Sequence, residues 1–194
     1  MNDKFNTCDY DFQNSIDNLV EKIKSYPLSN YDIKKINPNI KITLSTTLKN
    51  MRFIDEIFSN VLNVGIILWL SGPNFGHWIG LIRNEKNKTI EIFDSYAYPF
   101  KKINEKLNSN MNISPLVLIN VIKKSGYKPI FNKKIYQNRK DKTDSTCGRW
   151  VLLRLALYQY SLKEFDKYLK DIKKKYCINP LELAVITTYN KINK

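Results

Sequence analysis

The spacing of apolar positions changes several times along the chain, and each change predicts an element. Leu19, Val20 and Ile23 recur at helical spacing, so Asp17 to Lys24 reads as a short helix that Pro27 ends. Ser29 can cap a second helix, with Asp32 three residues later as an imperfect capping box, and Asn37-Pro38 closes it. Met51, Ile54, Ile57, Phe58 and Val61 predict a third helix over Thr46 to Val61. Val64 to Leu70 is a continuous apolar run, the pattern of a strand buried on both faces. The Gly/Pro-containing segment Ser71 to Gly76 is a loop, and two strands, His77 to Arg83 and Lys88 to Asp94, flank the hairpin loop Asn84 to Asn87.

Beyond Asp94 the pattern alternates without a regular strand–helix rhythm. Helices are expected at Lys101 to Leu107 and, after Ser114-Pro115, at Leu116 to Lys124. Pro129 to Tyr136 reads as a strand and Asn138 to Thr146 as a polar loop. Cys147 to Tyr160 carries the strongest helical pattern, with Val151, Leu152, Leu155 and Tyr158 inward. Helices at Leu162 to Lys174 and from Asn179-Pro180 onward complete the chain, Pro180 standing at a first helical position. This mixed order predicts an α+β fold in one domain over residues 1–194, with no repeats and no linker.

Composition narrows the function. The longest apolar run is far short of the roughly 20 residues that span a bilayer, and the polar, acidic start does not resemble a signal peptide. A cytosolic setting follows as the expectation. Three widely spaced cysteines, Cys8, Cys147 and Cys177, form neither a disulfide framework nor a CxxC metal site. A single histidine, His77, rules out a zinc site built from several imidazoles. With 32 Lys and Arg against 18 Asp and Glu, the net charge is +14. That excess predicts sequence-independent contact with a polyanion such as DNA, through runs such as Lys133-Lys134 and Lys173 to Lys175. The bland alternative is lysine dispersed as solubilising charge.

The hairpin brings chemistry together. A loop of Asn84 to Asn87 pairs Arg83 with Lys88, Leu81 with Ile90, Ile79 with Ile92 and His77 with Asp94. One face is then apolar and ends in a histidine opposite a carboxylate, close enough to hydrogen-bond. Such a carboxylate fixes the imidazole tautomer, and the pair becomes useful when it serves a nucleophile. Cys147 is the candidate, because a thiol at a helix N-terminus gains thiolate character from the backbone dipoles. Gly148 permits close backbone approach. The Cys147 N–H and the Gln137 amide are candidate oxyanion donors, with Asn138 as an alternative to Gln137. Trp69 could line a substrate cleft. Taken singly, each residue also has a structural explanation as a packed core or turn residue.

Gly76-His77-Trp78, Ile92-Phe93-Asp94-Ser95-Tyr96, Gln137 and Thr146-Cys147-Gly148-Arg149-Trp150 resemble, in type and order, the motifs of the adenain-like cysteine proteases. These include the adenovirus maturation protease and the proteases that process SUMO precursors. The resemblance is firm over about residues 64–160 and is greatest to proteases of virophages, Polinton-type elements and large DNA viruses. Two positions depart from the pattern. Gln137 lies ten residues before Cys147, a long loop for the family, and Ala97 stands where relatives often carry glycine. The resemblance implies a papain-like two-lobed fold, with Cys147 on a helical half and His77 and Asp94 on a sheet half. It also implies a monomeric endopeptidase without metal or organic cofactor. The implied activity is cleavage of capsid precursors at small residues, in the host cytoplasm, viral factory or virion, with DNA as a possible activator. A protease for a ubiquitin-like modifier shares the whole residue set. A non-catalytic, nucleic-acid-binding virion protein is the alternative from another class.

Overall fold

Five strands form one mixed sheet in the order β1-β2-β3-β4-β5 in the computed structural model, which describes residues 10–193 apart from 60, 74, 110 and 112. The strands are β1 (Lys41–Leu44), β2 (Val64–Leu70), β3 (Gly76–Asn84), β4 (Thr89–Phe93) and β5 (Lys128–Phe131). β2, β3 and β4 are antiparallel neighbours, and the edge strands β1 and β5 each run parallel to their neighbour. The helices are α1 (Tyr10–Ile23), α2 (Asn30–Ile36), α3 (Ile103–Lys106), α4 (Leu116–Lys124), α5 (Cys147–Ala156), α6 (Leu162–Tyr176) and α7 (Pro180–Ile192). The fold is α+β.

Alternation along the central strands divides the interior into two layers. Ile66, Trp78, Ile82 and Phe93 meet Trp150, Val151 and Leu155 of α5 and Phe165 of α6 on one side. Ile67, Trp69, Ile79, Leu81, Ile90 and Ile92 meet Leu118 and Ile122 of α4 on the other. α5 lies directly across β3 at Gly80, where a Cβ would come within 3.2 Å of both Val151 Cγ1 and Leu155 Cδ2. Every residue of α5 from Cys147 to Leu155 is buried. A buried ion pair fastens this helix to the sheet. Arg154 Nε and Nη2 donate to Glu91 Oε1 and Oε2 at 2.9 and 2.8 Å, while Nη1 and Nη2 also reach the carbonyls of Leu157 and Tyr160.

Three expectations are corrected. Thr46 to Val61 is not an α-helix but two 3₁₀ turns, Ser45–Asn50 and Ile54–Ile57, after a short strand that the pattern did not reveal. The strand expected to reach Tyr136 ends at Phe131. The hairpin register differs by two residues: Leu81 faces Ile92 and Arg83 faces Ile90. The loop is Glu85 to Lys88, because Asn84 stays in the ladder opposite Thr89 while its Oδ1 accepts from Asn87 N at 3.0 Å. A slip of two keeps every side chain on its face, so the apolar ribbon survives. His77 and Asp94 are no longer directly opposite. The capping box at α2 is present in full, with Ser29 N donating to Asp32 Oδ2 at 2.8 Å.

Candidate active site

β3 enters the sheet at Gly76, four residues before its ladder with β4 begins at Gly80. His77 therefore sits at the strand end, with Asp94 just beyond the end of β4. The diagonal is bridged by the side chains: His77 Nε2 lies 2.7 Å from Asp94 Oδ1, and both residues are buried. Asp94 is itself held on all sides. Tyr96 N and Tyr98 N donate to its two carboxylate oxygens at 2.8 and 3.0 Å. Asn132, just after β5, clasps its backbone: Asp94 N donates to Asn132 Oδ1 at 2.8 Å, and Asn132 Nδ2 donates to Asp94 O at 2.7 Å.

Cys147 occupies the first position of α5 and is a buried free thiol. Its approach to the sheet depends on Gly148, where a Cβ would stand 2.9 Å from Trp78 Cδ1. Trp78, the neighbour of His77, fills that space and donates from Nε1 to Leu28 O at 2.9 Å. The helix start is thus seated on the strand that carries the histidine, close enough for Cys147 to act on the imidazole. With Nε2 given to Asp94, Nδ1 is the nitrogen left for the sulfur. Burial alone would push the His77 pKa down. The charges of Asp94 and Cys147, with hydrogen bonds to both, outweigh it and raise the pKa from 6.5 to about 10. Asp94 is likewise opposed by burial, yet the His77 charge, the His77 hydrogen bond and the backbone donors hold its pKa below the usual carboxylate value. A thiol, an imidazole and a carboxylate in series can pass one proton from sulfur to ring, which leaves a nucleophilic sulfur beside an imidazolium.

The segment leading into α5 is organised by Asp144. Its Oδ1 accepts from Thr146 N at 3.0 Å, from Thr146 Oγ1, and from Gln137 Nε2 at 3.1 Å. Gln137 is buried; its Nε2 also donates to Asp144 O at 2.7 Å, and its Oε1 accepts from Ser95 Oγ at 2.8 Å. The structure therefore brings Gln137 into the loop before Cys147 with both amide hydrogens directed at Asp144. Asn138 is exposed, and its Oδ1 accepts from Lys140 N. Asp144 is committed to this loop and accepts no hydrogen bond from His77. Trp69 is fully buried and donates to Asn104 Oδ1 at 2.7 Å, so it is core and not cleft wall. Cys8 lies outside the described residues.

Three contributors were not legible beforehand. Tyr96 stacks on the His77 ring, with centroids 4.9 Å apart and planes 23° from parallel, and its hydroxyl reaches Asp144 O at 3.4 Å. Arg139 donates to Tyr96 O and Ala97 O at 2.6 and 2.8 Å, tying the Gln137–Cys147 loop to the loop after Asp94. Asn132 anchors Asp94 as described. The Asp-Ser-Thr run before α5 is a turn signal from which Asp144 could have been found; nothing local marks Asn132. Ala97 takes a left-handed backbone with φ of 48°, which accounts for glycine being the easier residue there. Among the described residues, no group of three or more His, Cys, Asp or Glu side chains could hold a metal ion.

The model of the Ulp1 protease family, C-terminal catalytic domain, matches residues 6–179. A Sputnik virophage protein, named Uncharacterized protein V9, is 32% identical over 168 residues, covering 83% of this chain and 93% of the relative. With residues 6–179 of its 194 matched by that family model, this chain belongs to the Ulp1 protease family, as a catalytic domain of the cysteine-peptidase type.

Proposed function

We propose that the protein is a cysteine endopeptidase that processes viral structural precursors at small residues during particle maturation. The observation that carries the reading is the His77 imidazole shared between Asp94 and Cys147 at the start of α5. The Cys147 thiolate attacks the peptide carbonyl carbon, forming the S–C bond as the carbonyl π electrons move to oxygen. The Cys147 N–H, one of the first-turn donors that a helix leaves without an internal acceptor, receives that oxyanion. Gln137 is the second donor; releasing its longer bond to Asp144 Oδ1 frees one N–H. The His77 imidazolium gives its proton to the leaving amine as the C–N bond breaks. Neutral His77 then takes a proton from water, whose oxygen displaces the thiolate from the acyl group. Asp94 keeps the ring oriented throughout.

The viral setting is supported by the virophage relative, and the small-residue preference by the resemblance of the motifs. Co-expression with the structural proteins of the same genome, followed by mass spectrometry of their termini, tests both. New termini after glycine or alanine that vanish with Cys147→Ala are expected. Intact precursors beside an active enzyme would contradict the reading. The family name favours one competitor, a protease for a ubiquitin-like modifier. Rapid covalent capture by a modifier carrying a C-terminal electrophile, with structural precursors left uncut, would decide for it.

A further inference from the structure

Away from Cys147, the run from Phe131 to Tyr136 and the first half of α6 enclose an open cleft of about 930 Å³. Its lining includes five lysines, at 133, 134, 163, 167 and 170, against the two carboxylates of Glu164 and Asp166, which leaves three positive charges in excess. Lys163, Lys167 and Lys170 recur every three or four residues on α6 and share one exposed side of the helix. Lys134 is paired with Asp166 at 2.8 Å and Lys167 with Asp171 at 2.6 Å. Among the described residues, Lys133, Lys163 and Lys170 meet no carboxylate. Between the charges lie the apolar surfaces of Phe131, which is 39% exposed, and Leu162.

We propose that this cleft docks a peptide segment of a partner protein in which acidic and apolar side chains are interleaved. The free lysines take the acids, and Phe131 and Leu162 take the apolar side chains. The same lining argues against a nucleic acid. Glu164 and Asp166 would face a uniform run of phosphates. The Tyr136 ring offers no open face for a base, since it contacts Phe93, Trp150 and Phe165 and lies 5.1 Å from the Lys134 ammonium.

Occupancy is wired to the reaction centre. Asn132, which lines the cleft, also clasps the Asp94 backbone and donates to Lys134 O at 3.0 Å. Tyr136 N and Gln137 N both donate to Ser95 O, at 2.9 and 3.1 Å. A peptide that orders residues 132–136 therefore steadies the carboxylate that holds His77 and the strand end that carries Gln137. This last step rests on the function proposed above; the docking itself does not.

The test uses the full chain carrying Cys147→Ala and short fluorescent peptides. An acidic–apolar peptide should bind at least about tenfold more tightly than its lysine-for-acid counterpart. Lys163→Glu combined with Lys170→Glu should weaken it about tenfold or more, whereas Lys123→Glu on α4 should not, with circular dichroism unchanged in both. No binding, binding indifferent to the cleft variants, or displacement by a short DNA duplex as effective as by unlabelled peptide would overturn the docking proposal. In the chain with Cys147 intact, saturating peptide should speed alkylation of that thiol. An unchanged rate beside intact binding overturns the coupling. A Cys147 no more reactive than free cysteine, with or without peptide, overturns the protease reading and leaves the docking standing.

Discussion

Each polar side chain around Cys147 makes a separable demand on the reaction. Asp94→Asn keeps the shape but loses the charge that orients and raises His77, so turnover should fall by about 10²–10⁴ and the melting temperature should drop as well, because the charged pair contributes stability at neutral pH. Steady-state kinetics and a thermal scan of the same variant check this. Gln137→Ala should lower turnover by about 10²–10³ with KM little changed, the usual cost of one oxyanion donor. If Asn138→Ala showed that loss instead, the donor would lie one residue along. The pH dependence has a defined sign. The His77 pKa is raised from 6.5 to about 10, so its contribution to stability is complete below pH 6.5 and is lost as pH rises through about 10. The Asp94 pKa is lowered, so its contribution is present above its unfolded value of 3.8 and disappears as pH falls through the lower folded value. Activity should fail on the alkaline side near pH 10, as the imidazolium that serves as acid is lost, and a pH–rate profile reads this directly.

At the scale of elements, the active site depends on α5 lying close to β3. Gly148→Ala puts a methyl group within 2.9 Å of Trp78 Cδ1 and must lift the helix start that bears Cys147. A loss of about 1–3 kcal/mol, with a fall in turnover, is expected from overpacking at that contact. Denaturant unfolding and kinetics on one preparation check it. Breaking the buried Glu91–Arg154 pair by Arg154→Met should cost about 3–5 kcal/mol, because Glu91 is left buried without its partner; replacing both residues by apolar ones should restore much of that. The sequence made these elements legible to unequal degrees. Continuous apolar runs and strong caps, as in β2, α2 and α4, were readable because the signal is local. The 3₁₀ turns at residues 45–57 were not, since their apolar residues mimic helical spacing while packing decides the backbone. The hairpin register failed by two because loop length cannot be counted from composition when Asn84 serves both the ladder and the turn. The His77–Asp94 contact was legible nonetheless, since a two-residue slip preserves the face. Asn132, Tyr96 and Arg139 were not, since each acts through a partner distant in sequence.

For the whole molecule, the sheet carries His77 with Asp94 at its edge, the buried α5 carries Cys147, and the loops at 94–98 and 137–146 tie the two together. The net charge of +14 is not spread uniformly, because five lysines converge on the cleft between β5 and α6. The central claim is that Cys147 is a nucleophile activated by His77. Its most direct test is alkylation by iodoacetamide near pH 6, followed by peptide mapping, in the unaltered chain and in His77→Ala. The account predicts one rapid label per chain, on Cys147, that slows to the rate of an ordinary thiol when His77 is replaced. Labelling of Cys147 at the same rate in both proteins, or no labelling faster than free cysteine, would contradict it.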